Sequence, residues 1–157
     1  MARVVPEQKP GKSEQTVGTP REFIRAVEAR WGSLTIDLAA TKKNAKAKKF
    51  FTEEDNSFKK RWYGWGNAWL NPPFGDIKPW VAKAARTLPK LGKGDRIFVL
   101  TPASISAKWF RDYVHEKALV IGITRMKFVG HKHQFPKDLM LSVYGERPGF
   151  EVWEWRG

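Results

Sequence analysis

The stretch NAWLNPPFGDIKPWVAKAARTLPKLGKGDRIFVLTP, residues 67–102, decides the fold class. It begins with the short apolar run "NAWL", continues with the helical pattern "DIKPWVAKAARTLPKL" and ends in the apolar run "DRIFVLTP". A strand, a helix and a second strand in this order predict two parallel strands joined by a crossover helix. Asp76 is expected to cap that helix at its N-terminus.

The flanking sequence continues the alternation of strands and helices. In "TPREFIRAVEARWG", Thr19 is expected as the N-cap and Pro20 as the first helical residue. "SLTIDLAA" and "LVIGITRMKF" have the composition of buried strands, "SAKWFRDYVHEKA" that of an amphipathic helix, and "KKNAKAKKFF" that of a part-helical connector. The closing runs "LMLSVYG" and "FEVWEWR", separated by the turn signal "ERPG", predict a hairpin-like antiparallel edge.

These patterns predict a compact three-layer α/β domain with a mostly parallel sheet and an antiparallel edge. Residues 1–18 are rich in Lys, Gly, Pro and Gln and are expected to form a disordered N-terminal lead. Residues 19–157 are expected to form a single domain. In open parallel sheets, ligands bind beyond the carboxyl ends of the strands, so Asp37, Asn71 and Thr101 are expected to meet at one crevice.

Composition narrows the functional classes. The 157 residues contain 29 Lys and Arg against 16 Asp and Glu, giving a net charge of +13, and no cysteine. The absence of cysteine excludes disulfides, thiolate metal sites and a cysteine nucleophile. No apolar run is long enough to cross a bilayer and no secretory signal is evident, so a cytoplasmic location is expected. The positive charge predicts a polyanionic partner, because Lys and Arg release counterions from phosphates on binding.

The basic residues are clustered. Residues 42–61 contain eight basic and three acidic residues, and residues 125–137 contain four basic residues and no acid. Arg125, Lys127 and Lys132 of the second cluster are predicted to contact the phosphates of a nucleic acid. The "HKH" sequence at 131–133 matches no common metal-site spacing, so no metal is expected.

The motif Asn71-Pro72-Pro73-Phe74 follows the first strand of the deciding stretch and carries the predicted chemistry. Each proline restrains itself and the residue before it to extended geometry, so the backbone forms a rigid rim of carbonyl acceptors. The Asn71 side-chain oxygen adds another acceptor. Such a rim suits a planar group that carries an exocyclic NH₂, such as adenine, and Phe74 could stack on the base after it leaves the duplex.

With these residues the chain resembles the phage-type, Dam-like DNA N6-adenine methyltransferases. "NPPF" is similar to the [DNS]PP[YFW] motif of S-adenosylmethionine-dependent amino-methyltransferases, and "TPREFIRAVEARWG", "LTIDLAATKKNAKAKKFFTEEDNSF" and "RMKFVG" follow in the family's order. The resemblance implies a Rossmann-like class I methyltransferase domain that binds S-adenosylmethionine and double-stranded DNA. It also implies an enzyme encoded by a phage or prophage, working in the bacterial host cell to protect DNA from restriction.

The resemblance also implies roles for particular residues. Asn71, Pro72, Pro73 and Phe74 are the implied catalytic residues. Thr19, Pro20, Asp37, Ala39 and Asp55 are implied, together with Asn71, to bind the cofactor.

Several functions stay open at this point. The same motif could serve a methyltransferase that acts on RNA or on a protein glutamine, and cytosine N4 is chemically close to adenine N6. A non-catalytic nucleic-acid-binding module would show the same charge. Methylation of cytosine C5 is excluded, because it requires a cysteine nucleophile and the chain has none.

Overall fold

A computed structural model of the chain describes residues 18–156, so that all but the last residue of the predicted lead lies outside the described residues. The elements in chain order are α1 (Arg21–Trp31), β1 (Ile36–Asp37), β2 (Lys49–Phe50), a 3₁₀ turn (Ser57–Lys59), β3 (Asn67–Leu70), α2 (Lys78–Thr87), a second 3₁₀ turn (Leu88–Lys90), β4 (Arg96–Pro102), α3 (Lys108–Tyr113), β5 (Leu119–Ile123), β6 (Leu139–Tyr144) and β7 (Gly149–Trp153).

The seven strands form one sheet in the order β2-β1-β3-β4-β6-β5-β7. Strands β2, β1, β3 and β4 are mutually parallel, and β7 is parallel to β5. Only β6 runs in the opposite direction, antiparallel to both of its neighbours, β4 and β5. The predicted α/β class with a mostly parallel sheet is therefore confirmed.

The predicted antiparallel edge is wrong, because the antiparallel strand lies inside the sheet. All six residues of β6 are buried, which suits a strand with neighbours on both sides. The residues of β7 are mostly exposed or half-buried, which suits an edge. The turn at "ERPG" therefore does not close a hairpin, since β5 separates β6 from β7.

Helices cover both faces of the sheet. Successive side chains of a strand point to opposite faces, and in β4 Ile97 and Val99 pack with α2 and α3, whereas Phe98 and Leu100 pack with α1. The result is two apolar cores separated by the sheet, one on each side. This arrangement is the three-layer architecture expected from the sequence.

Two predicted helix caps are wrong. Pro20 occupies the cap position of α1, and the Thr19 side chain turns into the protein instead. Helix α2 begins at Lys78, and the Asp76 N–H donates to the Pro73 carbonyl, so Asp76 belongs to the preceding turn. Pro79 in the first turn of α2 has no N–H that would need a cap.

The connector after β1 also differs from the expectation. It is not part-helical: a turn at residues 42–44 leads into the short edge strand β2. Within residues 18–156, no helix is long and apolar enough to span a bilayer.

Candidate functional site

The site lies where β1 and β3 end side by side. These strands are parallel, and Asp37 is in register with Trp69. The Leu38 N–H donates to the Trp69 carbonyl over 2.8 Å and extends the pairing past the end of β1. The side chains of Asp37 and Asn71 are thereby delivered to the same edge of the sheet, as parallel pairing requires.

These two residues line a crevice, called here the Asn71 crevice, together with residues from the start of α1 and from the connector. Its lining comprises Gly18, Thr19, Asp37, Ala39, Asn44, Lys46, Trp69 and Asn71. Four of the residues predicted to bind the cofactor therefore meet at one place. The crevice encloses only about 10 Å³, space for about one water molecule, so a nucleoside-sized ligand requires it to widen.

Asn71 is held in a fixed orientation inside the crevice. Its side chain is buried, and its Nδ2 donates to Thr19 Oγ1 over 3.1 Å. The Asn71 Oδ1 atom is also buried and has no hydrogen-bond partner among the described residues. An acceptor that is shielded from water and left unpaired is costly, so a donor from a ligand would be stabilising there.

Asp37 is the acidic group of the crevice. It is 3% exposed, and its two carboxyl oxygens accept hydrogen bonds from the backbone N–H groups of Ala39 (3.2 Å) and Lys46 (2.9 Å). Burial raises the pKa of Asp37 to about 7, against an opposing effect of these two hydrogen bonds. A cation placed beside the carboxyl would favour its ionised form.

Two residues predicted to bind the cofactor are not among those that line the crevice. Pro20 is adjacent to Thr19 in the chain, but it forms the cap of α1. Asp55 is exposed, and its Oδ2 accepts from the N–H (2.8 Å) and the hydroxyl (3.1 Å) of Thr52. These hydrogen bonds to Thr52 lower the pKa of Asp55. The structure therefore gives Asp55 a local role in closing a turn.

The motif continues from the crevice into a second depression, called here the aromatic cleft. It has a volume of about 370 Å³ and is lined by Phe74, Phe128, His131, Lys132, His133, Gln134, Phe135 and Pro136. The Phe74 ring lies 6.0 Å from that of Phe128 and 5.3 Å from that of Phe135, in edge-on geometry. The volume falls in the range of small-molecule sites, and an apolar wall with a basic rim suits a nucleobase attached to phosphate.

The prolines contribute fewer acceptors than the sequence suggests. The Pro73 carbonyl accepts from the Asp76 N–H over 3.1 Å, so it closes a turn. The rigid backbone of the motif nevertheless connects the Asn71 crevice to the aromatic cleft.

The basic residues of segment 125–137 lie on the loop that forms one wall of this cleft. Lys127 and Lys132 are exposed, and Lys132 lines the cleft itself. Arg125 is exposed too, but its Nε donates to Asp138 over 3.3 Å. Of the three residues predicted to contact phosphate, Arg125 therefore already has an acidic partner.

The basic loop is tied to the Asn71 crevice through Gly18. The Val129 N–H donates to the Gly18 carbonyl over 3.0 Å. Gly18 has φ +50°, and a Cβ at this position would lie 2.9 Å from the Val129 Cβ. Only glycine fits this contact without displacing the loop.

Sequence reasoning missed several lining residues. Asn44 and Lys46 enter the crevice because the Lys46 N–H binds Asp37, and Phe128 and Phe135 enter the cleft from a loop without periodicity. No spacing signal in the sequence marks these residues. In the part of the chain that the structure describes, no cluster of three or more His, Asp or Glu side chains could hold a metal ion.

Comparison with known proteins identifies the family. Residues 8–139 match the family model described as DNA N-6-adenine-methyltransferase (Dam). The chain belongs to this family. The matched range contains every residue that lines the Asn71 crevice and the aromatic cleft.

Two curated proteins similar to this chain carry the Dam family name. A protein of Escherichia phage T1, named DNA N-6-adenine-methyltransferase, is 34% identical over 105 residues, which cover 67% of this chain and 43% of the relative. A protein of the same name from Haemophilus phage HP1 (strain HP1c1) is 29% identical over 99 residues, which cover 62% of this chain and 56% of the relative. The chain thus spans about half the length of these relatives. The resemblance to phage-type Dam proteins is confirmed.

Proposed function

We propose that the protein is a DNA N6-adenine methyltransferase that uses S-adenosylmethionine and acts on double-stranded DNA. Membership of the Dam family and the names of the two phage relatives support this activity. Residues 19–157 would then form a single Rossmann-like class I methyltransferase domain. The mostly parallel sheet, with its site at the carboxyl edge, agrees with that assignment.

The observation that carries the proposal is the unpaired oxygen of Asn71. Its amide nitrogen donates to Thr19, and its buried Oδ1 accepts no hydrogen bond from the described residues, so this oxygen is available to a donor from a ligand. An exocyclic amine is a donor of the required kind. Asn71 cannot act as a general base, and its contribution is to orient the amine and to supply a preorganised dipole.

The other crevice residues suit the cofactor. When bound, S-adenosylmethionine supplies a methyl group on a positively charged sulfur. Asp37 would accept hydrogen bonds from the amino group at the methionine end, and the Thr19 hydroxyl, which accepts from Asn71, retains a proton to donate. Ala39 lines the crevice with a small side chain and lets the ligand approach the backbone.

The aromatic cleft suits the target base. An adenine inside a duplex is inaccessible, so the enzyme would extrude it from the stack. Phe74 would then stack on the flipped base, beside the Asn71 oxygen that receives its N6 amine. Pro72 and Pro73 fix the distance between these two side chains.

The basic loop and the net charge of +13 suit a DNA backbone. Lys127 and Lys132 would contact phosphates at the mouth of the cleft, and Arg125 would do so on leaving Asp138. An enzyme of this kind, encoded by a phage or prophage, would work in the cytoplasm of the bacterial host and protect DNA from restriction.

The test is transfer of tritiated methyl groups from S-adenosylmethionine to unmethylated duplex DNA, to RNA and to protein, followed by nucleoside analysis of the product. We expect label on DNA as N6-methyladenine. Label found only on RNA, on a protein glutamine or on cytosine would refute the proposed substrate. DNA binding without any transfer would favour a non-catalytic binding module.

A further inference from the structure

Lys46 differs from the other lysines of the connector. Lys42, Lys43, Lys48 and Lys49 are exposed, as expected for a solvated basic segment, whereas Lys46 is half-buried and lines the Asn71 crevice. Its backbone N–H donates to Asp37 Oδ2, and this hydrogen bond draws the connector over the end of β1. The residue that holds the Asp37 carboxyl therefore also brings an ammonium group to the crevice.

The positive charge at this place is not neutralised by an ion pair. Across residues 18–156, Lys46 forms no salt bridge. Burial lowers the pKa of Lys46, and the charge of Asp37 acts in the opposite direction. An anion bound beside Lys46 would favour its charged form.

A ligand that satisfies both halves of this site must carry a cation and an anion next to each other. The carboxyl oxygens of Asp37 each accept one backbone hydrogen bond and have lone pairs left for an ammonium group. The adjacent Lys46 ammonium group would bind a carboxylate. An α-amino acid group has this pair of charges on one carbon atom.

We propose that Lys46 binds the carboxylate of the methionine part of S-adenosylmethionine while Asp37 binds its ammonium group. This inference rests on the proposed function and extends it to a residue outside the motif. A phosphate of the DNA backbone is the other anion that Lys46 could bind. The two anions are distinguished by a ligand that lacks only the carboxylate.

The experiment is calorimetric titration of the DNA-free protein with S-adenosylmethionine and with decarboxylated S-adenosylmethionine. Wild type is compared with Lys46→Ala. Lys48→Ala is the matched control, because it removes the same charge from an exposed position of the same connector. Far-ultraviolet circular dichroism of each variant checks that it is folded.

We expect Lys46→Ala to weaken binding of S-adenosylmethionine by about tenfold or more, the effect of losing one charge-assisted hydrogen bond. Binding of the decarboxylated compound should change by less than about twofold, because it has no carboxylate to lose. Lys48→Ala should bind both compounds like wild type.

Equal weakening of both compounds by Lys46→Ala would overturn the inference, because the residue would then only shape the crevice. Unchanged binding of both compounds, with a loss of DNA affinity, would overturn it and assign Lys46 to a phosphate. A folded wild-type protein that binds neither compound would refute the proposed function itself.

Discussion

Replacement of Asn71 by alanine should separate catalysis from stability. The side chain makes one hydrogen bond, from Nδ2 to Thr19 Oγ1, and buries one oxygen without a partner. Losing the hydrogen bond costs about 0.5–1.5 kcal/mol, whereas removing a buried unpaired acceptor returns about 1–3 kcal/mol. The two effects oppose each other, so the stability of Asn71→Ala should lie between about 0.5 kcal/mol below and about 2.5 kcal/mol above that of wild type.

Activity should respond very differently. If the Asn71 oxygen receives the target amine, its removal deletes one preorganised acceptor and should lower kcat about 10²–10³-fold. That loss corresponds to about 2.7–4 kcal/mol of transition-state stabilisation. A residue of this kind is kept for its function at some cost to the fold.

Asn67→Ala is the matched control. Asn67 is an asparagine at the other end of β3 with the same 7% exposure. Its Nδ2 donates to the carbonyls of Trp31 (3.0 Å) and Ser33 (3.3 Å), and its Oδ1 accepts from Arg96 (3.3 Å). Loss of these bonds should lower Tm by about 2–4 °C for each kcal/mol lost. Methyl transfer per folded molecule should stay close to that of wild type.

The assay combines thermal unfolding with transfer of tritiated methyl groups to unmethylated duplex DNA under saturating conditions. The reasoning is refuted if Asn71→Ala keeps more than about a tenth of the wild-type kcat, since one oxyanion-type donor or acceptor is worth at least 10²-fold. It is also refuted if Asn67→Ala loses transfer as severely, because the effect would then follow from unfolding.

Three further outcomes are expected. Phe74→Ala should weaken base extrusion by about 1–3 kcal/mol, measured as lower fluorescence of 2-aminopurine at the target position. A large loss of cofactor affinity with normal extrusion would show that Phe74 contacts the cofactor and not the target base. Lys127→Ala and Lys132→Ala should each reduce the slope of log affinity for DNA against log salt concentration by about one unit. The control Lys93→Ala, in an exposed turn at the opposite edge of the sheet, should leave the slope unchanged. Unchanged slopes in all three variants would show that the basic loop contacts no phosphate. Burial raises the pKa of Asp37 from 3.8 to about 7, so the affinity for a cationic ligand should rise as the pH rises through 7. Between pH 3.8 and pH 7 the Asp37 carboxyl loses its proton in the unfolded chain and keeps it in the folded protein. Rising pH should therefore lower the free energy of unfolding of wild type but not of Asp37→Asn. Parallel pH profiles for the two proteins would exclude Asp37 as the cause.

The meeting of Asp37 and Asn71 could be predicted from sequence because it follows from topology. Each ends a short apolar run, and parallel strands joined by crossovers bring their carboxyl ends to one edge. The pairing of β1 with β3 shows this placement directly. Local composition and chain order were sufficient, because no long-range side-chain contact had to be known.

The position of β6 could not be predicted from chain order. Strands close in sequence are commonly paired, and a turn signal between "LMLSVYG" and "FEVWEWR" favours a hairpin. The completely buried "LMLSVY" instead enters between β4 and β5, where both of its edges are paired, and the half-exposed β7 takes the rim. Burial on both faces outweighed proximity along the chain.

The half-buried position of Lys46 could not be predicted from the sequence, for a different reason. Five lysines in residues 42–49 have the same local character, and only one of them is drawn inwards. The cause is a backbone hydrogen bond to a carboxyl group nine positions earlier, which no side-chain pattern encodes. Asp55 differs, because its hydrogen bonds to Thr52 are local and hold its carboxylate in a turn.

The hydrogen bond between Val129 and Gly18 has a thermodynamic consequence for the order in which ligands bind. It joins the basic loop, which we propose contacts DNA, to Gly18 of the Asn71 crevice, so a movement of one is transmitted to the other. Whatever factor a ligand in the crevice contributes to DNA affinity, DNA must contribute the same factor to the affinity for that ligand. A substitution such as Gly18→Ala, which would place a Cβ 2.9 Å from the Val129 Cβ and force the loop away, should change this coupling.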